Sequence, residues 1–77
     1  MSAGDAVVVR VTRKSVTERV IAKVETATAT LVTIRVWMGR APFLRGSIRW
    51  SHTSRGVEPG AVLRAATSRE IELGHPA

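Results

Sequence analysis

The side chains here with the types and spacing to do chemistry are arginines and tryptophans. Arg35, Trp37, Arg40, Arg45, Arg49 and Arg55 fall in a segment with no aspartate or glutamate between Glu25 and Glu58. Within it, the stretch RVWMGRAPFLRGSIRW, residues 35 to 50, holds all three aromatic residues of the chain. A guanidinium presents a planar fork of donors that matches phosphate oxygens, and an indole face accepts a stacked base. The combination is expected of a surface that grips an anionic polymer, DNA or RNA. The same residues would also suit the solvated outer face of a strand or, for Trp37, a lid over the core or a subunit contact.

Other chemistries are poorly supplied. There is no cysteine, so neither a disulfide nor a thiolate metal site can form, and His52 and His75 alone cannot complete a tetrahedral zinc set. With a single aspartate and no clustered carboxylates, candidates for an acid-base pair or triad are few. Ser51 and His52 are sequence neighbours, and on a strand neighbours face opposite ways, so they share no proton directly. No glycine loop of phosphate-cradling type occurs. The expectation is a protein with no catalytic residues, no metal and no cofactor.

Net charge reinforces the basic reading. Twelve lysines and arginines oppose six acids, for +6 over 77 residues, a balance that favours an anionic partner. No apolar run approaches the roughly 18 to 20 residues that span a bilayer, and the start MSAGDAVVVR lacks a signal-peptide pattern, so no membrane association and a cytoplasmic location are expected. A chain this short folds as one domain, residues 1 to 77, of marginal stability, which makes a homo-oligomer an open possibility.

The elements that must position these groups read as strands. From Ala6 to Thr12, Val7, Val9 and Val11 alternate with Val8, Arg10 and Thr12, which predicts a strand with the first set inward. Residues 13 to 15 read as a turn. Residues 15 to 27 admit two readings. Ser15 and Glu18 match a helix capping box, so a single helix at about 16 to 27 is possible. Dense β-branching favours instead a strand with Val20, Ala22 and Val24 inward and Ile21, Lys23 and Glu25 outward.

Thr30 to Met38 predicts a strand with Val32, Ile34, Val36 and Met38 on one face and Thr33, Arg35 and Trp37 on the other. Gly39 to Pro42 breaks it. A further strand is expected from about Leu44 to His52, with Ile48 and Trp50 inward and Arg45 and Arg49 together on the outer face, roughly 13 Å apart. Pro59-Gly60 suits a type II turn. Strands from Ala61 to Ser68 and from Glu70 to Leu73 complete the set, followed by a frayed tail from about residue 74.

Five or six short strands separated by turn signals predict an all-β fold, a small antiparallel barrel. The opening GDAVVV, the second segment VIAKV, the third TLVTIRV and the basic FLRGSIRW resemble the layout of SH3-like barrels of the KOW type, found in translation-associated and small phage-encoded proteins. The turn glycine of KOW motifs is missing. The resemblance implies a barrel that binds RNA, DNA or protein and brings no catalytic residue with it. Two functions follow as expectations. One is a nucleic-acid-binding barrel of little sequence specificity using Arg35, Trp37, Arg40, Arg45, Arg49 and Arg55. The other is a self-assembling or protein-docking accessory or inhibitory module that meets an acidic protein, with outward Val8, Ile21 and Trp37 as its interface.

Overall fold

The computed structural model describes residues 1–43 and 45–77. Among these residues six strands form an antiparallel sheet: β1 (Ala6–Arg13), β2 (Val16–Ala27), β3 (Val32–Arg40), β4 (Ile48–Trp50), β5 (Arg55–Val57) and β6 (Val62–Ala65). Their order is β4-β3-β2-β1-β6, with β5 also paired to β3. A single 3-10 turn, Pro59–Ala61, joins β5 on one side of the sheet to β6 on the other. So short a link requires the sheet to curl upon itself, because extended chain advances only about 3.3 Å per residue. The small antiparallel β fold is as the alternation predicts. The beginning of the strand expected at Leu44 lies outside the described residues.

The inner face of the curl is the core. Val7, Val9 and Val11 of β1 meet Ala22 and Val24 of β2, Val32 and Ile34 of β3 and Val57 of β5. Alternation sets all of these except Val57 on the inward face of their strands. Met38, expected with them, is exposed. It lies past the last rung of the β2–β3 ladder, Ala22 opposite Val36, and so beyond the enclosed part of the curl.

Residues 16 to 27 are strand, not helix. Lys14 and Ser15 both have positive φ, 47° and 66°, as a two-residue hairpin turn of type I′ requires. That turn sets Arg13 opposite Val16 and continues the register to Ala6 opposite Lys23. Ser15 is thus occupied as a turn residue and caps nothing, while Val16, Thr17, Val20 and Ile21 take the pleated conformation their branching favours.

A helix does form, where a strand was expected. Ser68–Leu73 is α1, opened by a reciprocal capping box in which Thr67 accepts from the Glu70 amide while the Glu70 carboxylate accepts from the Thr67 amide. Gly74 closes it in the left-handed conformation, φ 79°. The tail is tied as well, since the Ala77 amide donates to Glu70 Oε2 at 2.9 Å. Pro59-Gly60 likewise enters the 3-10 turn and not a type II turn.

The helix explains the main correction to the burial pattern. Val8 and Ile21, cross-strand partners on the outer face, are 1% and 0% exposed. Arg64 and Gly74 bring α1 and its C-terminal turn to that face: Arg64, opposite Val8 on β6, pairs with Glu70, and Gly74 lies against the Trp37 ring. Both faces of the sheet's centre are therefore covered, so Val8 and Ile21 are core groups and offer no interface. No helix among the described residues is long and apolar enough to cross a membrane.

Candidate nucleic-acid interface

Strand direction decides where the charges lie. β1 and β3 both run toward the same end of the sheet, since each is antiparallel to β2. The Lys14-Ser15 turn after β1 and the 41–47 loop after β3 consequently leave from one end. Past the Ala22–Val36 rung, β2 and β3 share no further rung. The β1–β2 and β3–β4 hairpins thus diverge as two prongs, and a groove between them is lined by Arg19, Ile21, Trp37, Gly74 and His75.

The first prong carries a like-charge pair. Arg10 and Arg19 are direct cross-strand partners on one face of the β1–β2 hairpin, and both are exposed. Like charges so placed repel, at a cost of about 0.2–1 kcal/mol. Neither guanidinium meets an acid among the described residues. Two rungs toward the tip, on the same face, the Thr12 and Thr17 hydroxyls are 3.1 Å apart, and Arg13 and Lys14 follow at the turn. Glu18 is the only acid on this prong; alternation sets it on the face opposite Arg19, and it borders the same groove.

The second prong carries the residues singled out by sequence, and it divides them. Arg49 and the Trp37 edge flank Gly39, whose φ is 104°. A Cβ built there would lie 4.0 Å from Arg49 Nη2 and 3.9 Å from Trp37 Cζ3. Arg49 is exposed, and so is Arg45. Arg45 and Arg49 do not share a strand face as expected. Arg45 sits in the turn with φ 55°, followed by Gly46 at 73°, and β4 begins only at Ile48.

Three arginines of the expected patch have structural partners instead. Arg35 is ion-paired with Glu25, which also accepts from the Ser54 hydroxyl. That hydroxyl holds the Glu25 carboxyl below its ordinary range; desolvation opposes it, and the Arg35 guanidinium adds to the lowering. Arg40 donates to the Gly46 carbonyl at 2.8 Å and the Glu72 carbonyl at 3.2 Å, with the Glu72 carboxylate 3.4 Å away. It braces the loop against α1. Arg55 points with Ile34 and reaches the Thr12 carbonyl at 3.2 Å, so it braces the first prong near its tip.

The tryptophans also differ from expectation. Trp37 is half-buried, not open to water: its ring lies under Gly74, and Nε1 is buried with no hydrogen-bond partner among the described residues. Trp50, expected in the core, is its cross-strand partner on the same face, with Lys23 Nζ 5.8 Å from the ring centroid, inside cation–π range. The open aromatic is Phe43, 94% exposed in the loop of the second prong.

No protein-family model, curated protein or solved structure matches the chain.

Two signals for the site were present in the sequence and missed. A two-residue turn at Lys14-Ser15 forces Arg10 opposite Arg19, and Phe43 directly follows Pro42 in a turn-forming run. The acids obey the same geometry. Asp5 before β1, Glu25 near the end of β2 and Glu58 after β5 all lie toward the other end of the sheet. Glu70 and Glu72 are held by Arg64 and Arg40.

Proposed function

We propose that this chain is a non-enzymatic nucleic-acid-binding small barrel of SH3-like type that holds the phosphate backbone with its forked basic end and reads little sequence. The observation that carries the proposal is the polarity of the molecule: cations from two hairpins leave one end of the sheet, and three of the six acids lie toward the other. Arg10, Arg13, Lys14 and Arg19 on one prong and Arg45 and Arg49 on the other are the contact groups. A phosphate placed between Arg10 and Arg19 turns their mutual repulsion into a shared attraction, with the Thr12 and Thr17 hydroxyls beside it as further donors.

Self-assembly through Val8 and Ile21 has lost its surface, because both are buried. The test is a salt titration of binding to a labelled oligonucleotide. If about five phosphates are neutralised, log K falls against log salt with a slope of roughly −3.5 to −4.5. Absence of binding at low salt to either DNA or RNA rejects the proposal.

A further inference from the structure

Phe43 is the most exposed large apolar side chain described, at 94%, and the residues at the ends of its loop are tied to one another. The Ala41 amide donates to the Ser47 carbonyl at 2.8 Å, the Gly46 amide donates back to the Ala41 carbonyl at 3.2 Å, and Arg40 holds the Gly46 carbonyl from the side. Arg45 takes a left-handed conformation, φ 55°, within the same turn, a strain of about 1–2 kcal/mol for a side-chain-bearing residue. A braced loop that carries a bare phenyl ring between cations is suited to a ligand with both an apolar face and a negative backbone.

Nucleic acid has both, but a duplex hides its base faces in the stack and a single strand offers them. The half-buried Trp37 cannot supply the platform, since Gly74 packs on its ring. We infer that the forked end binds single-stranded nucleic acid in preference to duplex, with Phe43 stacking on an unpaired base while Arg45, Arg49 and the Arg10–Arg19 pair take the flanking phosphates. The inference rests on the nucleic-acid reading above and names the substrate class within it.

The experiment is fluorescence anisotropy with labelled dodecathymidylate and with a duplex of equal length, at low salt, on the wild type, Phe43→Ala, Phe43→Trp and the double variant Arg10→Glu/Arg19→Glu. The wild type binds the single strand more tightly. Phe43→Ala weakens single-strand binding roughly 5- to 140-fold, the range expected for one lost stack. It leaves duplex binding within about twofold, and Phe43→Trp restores the affinity. Single-strand binding unchanged in Phe43→Ala but lost in the double arginine variant overturns the stacking role and leaves the nucleic-acid reading standing. An equal loss on both polymers overturns the single-strand preference. Wild-type protein that binds neither polymer overturns both readings, and so does Phe43-dependent binding confined to phosphatidylcholine vesicles containing phosphatidylserine.

Discussion

Arg64 and Arg10 occupy comparable positions on the outer face of neighbouring strands, either side of the buried Val8, and have opposite fates. Arg64 donates to both oxygens of Glu70, at 2.5 and 2.6 Å, and that carboxylate is itself 1% exposed. Arg10 faces Arg19 and meets no acid among the described residues. One arginine is therefore committed to the fold, where it ties α1 to the sheet. The other adds repulsion to the fold and is free to meet a ligand. The contrast teaches that a count of basic residues in sequence does not locate a basic site. Arg35, Arg40, Arg55 and Arg64 are held within the structure, while Arg10, Arg19, Arg45 and Arg49 stand open to solvent.

Separating the two groups experimentally sharpens the contrast. The largest effect is expected from Arg10→Glu/Arg19→Glu, which removes two phosphate contacts and reverses their sign. Oligonucleotide affinity should fall on the order of 100-fold, with the urea unfolding midpoint unchanged, as one double variant measured by anisotropy and by denaturation will tell. A marked loss of stability would mean that these arginines hold the fold after all.

The helix side of the comparison is broken next, by Gly74→Ala. The residue has φ 79°, and a Cβ there would come within 2.6 Å of the Trp37 ring. The left-handed backbone alone costs about 1–2 kcal/mol for alanine, to which displacement of the indole adds. Urea unfolding followed by tryptophan fluorescence reads both the lost stability and the moved ring.

A smaller loss, about 1 kcal/mol, follows from Thr67→Ala at the helix cap. The same helix should weaken in acid. The Arg64 guanidinium, then the Thr67 and Ala77 amides, hold the Glu70 carboxyl well below the usual carboxylate range, against a lesser effect of desolvation. A carboxyl depressed in the folded state binds its proton first in the unfolded chain, so its contribution is present above a pH of about 4.3 and is lost progressively as pH falls below that value. Denaturation midpoints should fall with acidification through that window in the wild type, and less steeply in Glu70→Gln. The smallest change is a gain. Ser15→Gly relieves a φ of 66° in the hairpin turn and should raise stability by up to about 1 kcal/mol, leaving the salt dependence of binding unaltered.

The sheet was legible because alternation in Val7–Val11 and Val20–Val24 and in Val32–Val36 is a local property, and the inner face obeyed it. What alternation could not reveal is what lies over the other face. Val8, Ile21 and Trp37 read as outward and were, but α1 and the turn at Gly74 lie to that side of the sheet, and a strand pattern carries no record of a helix packed on its back.

The helix itself was misread through a shared motif. Ser15 with Glu18 and Thr67 with Glu70 have the same capping spacing, yet only the second caps. Val16, Thr17, Val20 and Ile21 follow the first and favour a pleat. Ser68, Arg69, Glu72 and the left-handed Gly74 surround the second, and Arg64 waits to neutralise its carboxylate. The acid-free arginine segment gave part of the site. It included Arg45 and Arg49, but also arginines whose acids, Glu25 and Glu72, sit outside the segment. Such long-range pairs, like the alignment of two hairpin tips at one end, follow from strand direction and not from spacing.

Backbone amide chemical-shift perturbation on addition of a short single-stranded oligonucleotide tests the forked end most directly. The account predicts shifts concentrated in residues 10–19 and 40–50, with none at Asp5, Glu25 or Glu58. Shifts centred on those acids, or spread evenly over the surface, would contradict it.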